Sequence, residues 1–290
     1  QAACLAKRDS LKAVRFPATK IKEQNMVFFA YLGIGAVAGL LAGLFGIGGG
    51  TVIVPMLLLL LPQSGVPAEH LMAAALGTSF ATIVPPSIAS ARQHYMLGNV
   101  DFGVFRIFVP ALMVSVFAFG WVASLLPRAV LMKIFAVMML FLSLKMLLSG
   151  RRQEADAENA APIAAGVQLA AGTVIGALSS FAGIGGGGFI VPFLNSRGFA
   201  MRCAIGTSSA CGVLLSLGAA ASFMLSGQRA EHMPAYSAGF VYLPAFAGIA
   251  AASVFTSKIG ARLASRLPVP ILKKAFAAFL CAVAVSMFFK

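Results

Sequence analysis

Leu44-Phe45-Gly46-Ile47-Gly48-Gly49-Gly50-Thr51-Val52-Ile53-Val54-Pro55 returns later in the chain as Phe181-Ala182-Gly183-Ile184-Gly185-Gly186-Gly187-Gly188-Phe189-Ile190-Val191-Pro192. Gly-Ile-Gly-Gly-Gly is identical in both copies, and each is followed two residues later by Ile-Val-Pro. Both copies lie inside long apolar runs. Glycine adopts backbone shapes closed to other residues, and a cluster this dense interrupts a helix. At membrane depth, backbone that is not helical is tolerated only where protein buries it or where it lines a cavity. The repetition predicts an all-α polytopic membrane protein. It is built of two homologous repeats of about four transmembrane helices each, with a glycine-broken or re-entrant helix in each repeat.

Composition agrees with a membrane protein. Of 290 residues, 60% are hydrophobic and 10% are charged, with a mean hydropathy of +0.93. Soluble domains carry roughly 25% charged residues. The net charge of +14 would point to nucleic acid in a soluble protein. Here the basic residues lie in the tail and the loops, as expected beside a membrane, so nucleic acid is not expected as a partner. Cys4, Cys203, Cys211 and Cys281 are scattered and suggest neither a disulfide framework nor a zinc site. No metal or other cofactor is expected.

The chain divides in order. Residues 1–25 form a basic tail that contacts anionic lipid. Repeat 1 covers 26–149, residues 150–162 are a charged linker, and repeat 2 covers 163–290. In repeat 1 an apolar helix at 26–45 reaches the glycine stretch. A short helix from Thr51 to Leu61 follows and spans only about 16 Å, half a hydrocarbon core. Further spans are expected at 69–91, 104–126 and 130–149. Repeat 2 replays this with 163–182, a short segment at 189–194, and spans at 203–225, 236–257 and 270–289. Landmarks also match: Gly77-Thr78-Ser79 with Gly206-Thr207-Ser208, and Pro110-Ala111 with Pro244-Ala245. Homologous halves in a polytopic protein point to a transporter with its site between them. The relative direction of the halves stays open. With four spans per half, Lys and Arg divide as about thirteen on the N-terminal side and nine opposite, which favours a cytoplasmic N-terminus.

The short helices put both glycine breaks near the bilayer midplane. A glycine loop that opens a helix presents unpaired N–H groups and the positive end of the dipole, which suits an anion. The candidate binding residues are therefore Gly46, Gly48, Gly49, Gly50, Gly183, Gly185, Gly186 and Gly187. Hydroxyls of Thr78, Ser79, Thr207 and Ser208 would add donors, each Gly-Thr-Ser lying beside the glycine loop of its own half. Arg92, His94, Asp101 and Arg106 cluster at a span end. They form either an anion vestibule with a proton-sensing histidine or a hydrated loop of snorkelling charges. No acidic residue lies in mid-span. An anion channel shares all these features. An intramembrane hydrolase would need a base beside Ser79 or Ser208, and no histidine lies in mid-span to serve.

The paired Gly-Ile-Gly-Gly-Gly and Ile-Val-Pro motifs, each followed by Gly-Thr-Ser, resemble the TauE/SafE family, the 4-toluene sulfonate uptake permeases. The resemblance covers about residues 26–289. It implies a bacterial inner-membrane permease for sulfite, sulfonates, sulfoacetate or related organic anions, driven by the proton-motive force. The family motif falls on 46–50, Pro55, 77–79, 183–187, Pro192 and 206–208.

Overall fold

The computed structural model describes residues 18–45, 49–148, 163–264 and 269–288. Gly46, Gly48 and the expected linker 150–162 lie outside the described residues. The first half holds α1 (Ala18–Phe45), the short α2 (Gly50–Leu60), a 3-10 turn (Leu61–Ser64), α3 (Leu71–Met96), α4 (Phe102–Leu125) and α5 (Arg128–Leu148). The second holds α6 (Ala165–Ala182), the short α7 (Gly187–Ser196), α8 (Met201–Ser226), α9 (Leu243–Ala264) and α10 (Val269–Phe288). Among the described residues, five stretches are long and apolar enough to cross a membrane: Leu71–Met96, Phe102–Leu125, Ala165–Ala182, Met201–Arg229 and Leu243–Gly260. A helix satisfies its own backbone hydrogen bonds, which is what a lipid solvent demands. α3 is the most enclosed of the five, and α4 shows its apolar side chains outward.

Contacts set the direction of each helix. α3 and α8 cross antiparallel at the centre. Gly77, early in α3, packs on Phe223, late in α8. Ser90, late in α3, donates to Ser209 Oγ, early in α8, at 3.1 Å. Phe80 and Phe223 stack between these points. α1 runs parallel to α9, with Gly248 against Tyr31, Gly35 against Ile249, Gly39 against Ser253 and Gly260 against Leu40. α4 runs parallel to α6, with Gly172 against Phe108 and Gly176 against Leu112, and Ser180 Oγ donates to the Val116 carbonyl at 3.1 Å. Small residues let helices approach this closely where lipid offers no hydrophobic drive. α5 pairs with α10, and Ser143 Oγ donates to the Ala277 carbonyl at 2.8 Å.

The short helices turn back rather than continue. Tyr31 on α1 places its hydroxyl 2.7 Å from Ser64 Oγ, just past α2. So α2 returns to the end of the bundle from which α1 enters, the face carrying residues 61–70. Phe193 on α7 stacks on Phe108, whose carbonyl lies against Gly172 of α6. So α7 returns to the opposite face, which carries residues 97–101. Residues 49–50 and 183–188 lie at the tips of two re-entrant hairpins, and the two hairpins enter from opposite faces.

Several boundaries differ from the sequence reading, among them the ends of α3 and α9, which run on to Met96 and Ala264. α1 begins at Ala18, inside the stretch read as tail. The span expected from 236 begins only at Leu243, because residues before it form a ribbon, Ser237–Ala238 paired antiparallel with Val241–Tyr242. Tertiary bonds hold that ribbon against local helix preference. Phe240 N–H donates to the Phe223 carbonyl at 3.1 Å and Tyr242 N–H to Thr78 Oγ1 at 3.0 Å.

The α1–α9 seam yields a paired prediction. Gly39 has no room for a side chain against Ser253 and Thr256, whereas Gly33 faces open space. Gly39→Leu is expected to cost about 1–3 kcal/mol through overpacking and to lower the Tm in detergent, with Gly33→Leu unchanged. Equal Tm values for the two variants would refute the seam.

Candidate functional site

The two hairpin tips touch. Gly49 caps α2 at φ 70° and Gly186 caps α7 at φ 81°, both in the left-handed region that a Cβ disfavours. The Gly49 carbonyl accepts from Val52 and Ile53 at 3.0 and 3.1 Å. The Gly186 carbonyl accepts from Phe189 and Ile190 at 3.0 and 2.8 Å. A Cβ on Gly50 would overlap the carbonyl oxygen of Gly183, so the tips meet backbone to backbone. Ser79 Oγ donates to that same carbonyl at 3.2 Å. Val54 and Leu76 pack on Gly183, Ile83 lies against both Gly50 and Gly185, and Gly212 and Ser216 close on Gly185 from α8.

Ile83 stands midway along α3, and Gly212 and Ser216 midway along α8. The contact therefore sits at mid-depth in the bundle. From it α2 runs to one face and α7 to the other; the N-terminus of α2 meets the Gly183 carbonyl at the C-terminal end of α6, and α7 opens a few residues on at Gly187. Gly49, Gly50, Gly183, Gly185 and Gly186 are buried, while Gly187 and Gly188 are half-buried. The N–H groups of Gly187 and Gly188 have no backbone acceptor outside the helix, as the first turn of a helix requires. Ser208 and Ser179 carry buried hydroxyls without a hydrogen-bond partner.

The Gly-Thr-Ser triplets do something different from what their spacing suggests. Thr78 Oγ1 accepts the N–H of Tyr242 at 3.0 Å, and Thr207 Oγ1 accepts the N–H of Asp101 at 2.9 Å. Gly77 lies against the backbone of Phe240, and Gly206 against the backbone of Asn99. Each triplet thus holds the loop that opens a helix in the other half. Ser79 likewise reaches Gly183 of the other half rather than the glycine loop of its own. Contact with the own-half loop comes one turn later, through Ile83 in α3 and Gly212 in α8.

The described hydrogen bonds of the four residues read as a vestibule run to other residues rather than to one another. Arg92 and Arg106 are exposed. Asn99 Nδ2 lies 3.4 Å from His94 Nδ1. Asp101 is the N-cap of α4, and its Oδ1 accepts from Val104 N–H at 2.9 Å. No ion pair joins these four among the described residues. A capping aspartate is legible from its place before an apolar helix. Sequence reasoning missed Ser179, Ser216 and Ile83. The two serines carried a signal, being polar side chains inside apolar runs; Ile83 carried none. No group of His, Cys, Asp or Glu suited to a metal ion occurs among the described residues.

Comparison with known proteins adds a family. The family profile described as "Sulfite exporter TauE/SafE" matches residues 31–287. A probable membrane transporter protein of Haemophilus influenzae is 50% identical over 257 residues, covering 89% of this chain and 96% of that protein. A probable membrane transporter protein of Methanocaldococcus jannaschii is 27% identical, covering 81% of this chain and 85% of its own length. One of Bacillus subtilis is also 27% identical, covering 70% of this chain and 80% of its own length. No solved structure matches the chain.

The tip contact can be tested by stability alone. Ser79→Ala removes one neutral hydrogen bond and is expected to cost about 1 kcal/mol. Gly50→Ala drives a methyl into the Gly183 carbonyl and is expected to cost about 1–3 kcal/mol. Thermal unfolding in detergent should rank wild type above Ser79→Ala and Ser79→Ala above Gly50→Ala. A Gly50→Ala protein as stable as wild type would mean that the tips are apart.

Proposed function

This chain belongs to the sulfite exporter TauE/SafE family and is a multi-pass membrane transporter, and we propose that it carries small sulfur-containing or organic anions such as sulfite, sulfonates or sulfoacetate. One observation carries the substrate class: the two glycine tips, each opening a short helix at its N-terminal end, come together at mid-depth. Each short helix presents roughly half a positive charge at its N-terminal end, which favours an anion beside the tip. The donors of this reading are N–H groups in the first turns of the two short helices, those of Gly187 and Gly188 among them, together with the unpartnered hydroxyl of Ser208; Gly183 and Gly186 already donate to the Ser179 and Ile184 carbonyls. Neutral donors of this kind bind and release an anion without a fixed cation in mid-membrane. The hydroxyls of Thr78, Ser79 and Thr207 already serve protein partners, and this reading gives them to the frame of the site.

The halves are proposed as inverted repeats, 26–149 and 163–290. The antiparallel crossing of α3 and α8, and the entry of the two hairpins from opposite faces, support that arrangement. In such folds one half rocks against the other around a fixed site. Coupling to the proton-motive force is proposed from the family resemblance. Glu69, Asp101 and Glu231 lie at helix ends or in loops and Glu23 lies in the second turn of α1, so a mid-membrane carboxylate relay has no support among the described residues. We assign the protein to a bacterial inner membrane. A cytoplasmic N-terminus is proposed from the six basic residues of the tail. Arg92, Arg106, Arg197 and Arg202 gather at the opposite end of the bundle and pull the other way, and a reporter fused to the N-terminus decides between them.

The substrate class is tested by counterflow of labelled sulfite into proteoliposomes. Sulfonates and other small oxyanions should compete, and alkali cations and amines should not. Counterflow rather than simple leak separates a carrier from an anion channel. Competition by an organic cation, with none from any anion, would overturn the anion reading.

A further inference from the structure

The two threonine bonds form a matched pair that binding alone does not explain. Thr78 sits about two turns into α3 from the face carrying residues 61–70. Thr207 sits about two turns into α8 from the face carrying residues 97–101. They lie on opposite sides of the mid-depth contact. Each is fully buried. Each accepts the N–H of the residue directly before a helix: Tyr242 before α9, and Asp101, the N-cap of α4. Each is preceded by a glycine that admits the backbone of that same loop, Phe240 at Gly77 and Asn99 at Gly206. The held loop in both cases belongs to the other half of the chain. At one face it is also strained, with His232 at φ 61° and Tyr236 at φ 67°. Non-glycine residues hold such angles only when their surroundings enforce them.

We propose that Thr78 and Thr207 are the two gate latches of the transport path, one for each face. The proposal rests on the reading that the path passes between the glycine tips. With both bonds made, both loops are drawn onto the α3–α8 crossing and the tips are sealed from either side. Release of Tyr242 from Thr78 frees the start of α9 and opens the face carrying residues 61–70. Release of Asp101 from Thr207 frees the start of α4 and opens the other face. The crossed arrangement, each half latching the other, lets one bond break while its counterpart holds. The Gly-Thr of each triplet is then a gate element, with the glycine admitting the loop and the threonine locking it.

The test needs no substrate. Ser216→Cys, beside Gly185, is introduced into a protein whose four native cysteines are replaced. A membrane-impermeant maleimide is added to one face of oriented proteoliposomes. Thr78→Val is expected to raise the labelling rate about fivefold from the face carrying residues 61–70 only, the shift that one neutral hydrogen bond supports. Thr207→Val should do the same from the opposite face only. Thr78→Ser and Thr207→Ser, which keep the oxygen, should label as slowly as the parent. Unchanged labelling, equal labelling from both faces, or failure of serine to restore the slow rate would overturn the latches. Face-specific labelling with no response to sulfite or sulfonates would leave the latches standing and remove the anion reading. Normal anion counterflow with unchanged labelling would do the reverse.

Discussion

A single backbone contact, Gly50 against the Gly183 carbonyl, governs the centre of this protein. Two chains meet so closely only where neither carries a side chain, which accounts for the two glycine runs better than flexibility does. Because the tips touch, both hairpins must end at one depth. Because both hairpins end there, α2 and α7 can be only about half a membrane long. The long helices α3 and α8 then have to frame the contact, and they do so with the short groups Ser79, Gly212 and Ser216 beside the larger Leu76 and Ile83. The enclosure of α3, far greater than that of α4, follows from the same constraint.

Glycine does two separate jobs in this chain. Gly49, Gly183 and Gly186 adopt left-handed backbone that turns the hairpins. Gly35, Gly39, Gly172 and Gly176 sit in ordinary helix and serve only to let α1 reach α9 and α6 reach α4. The first kind shapes the proposed anion site, and the second holds its frame. Substitutions of the two kinds should differ in character, since one distorts a turn and the other wedges two helices apart.

Much of the architecture was legible in the chain. The doubled glycine stretch announced two broken helices, and the short apolar segment after each put the breaks at mid-depth. What stayed hidden was partnership. Thr78 and Thr207 read as donors near an anion because a hydroxyl in an apolar run has no other visible purpose. Their partners, the N–H groups of Tyr242 and Asp101, are 164 and 106 residues away, and no local pattern encodes them. The ribbon at 237–242 was missed for the same reason. Direction was also unreadable, since hydropathy has no sign along the membrane normal. The antiparallel α3–α8 crossing emerged only from contacts such as Ser90 with Ser209.

The parallel pairing of α1 with α9 bears on how the chain is made. Thr256 and Gly35 touch across that seam although 221 residues separate them. Synthesis proceeds at about 5–20 residues per second, so α1 waits roughly ten to forty-five seconds for its neighbour to emerge. Through that interval the small-residue face of α1, built for another helix, has only lipid or the insertion machinery to lie against. The α6 helix has no such wait, since α4 precedes it. The first half is therefore the vulnerable one during biogenesis, and an α1 released early is open to quality control before its partner exists.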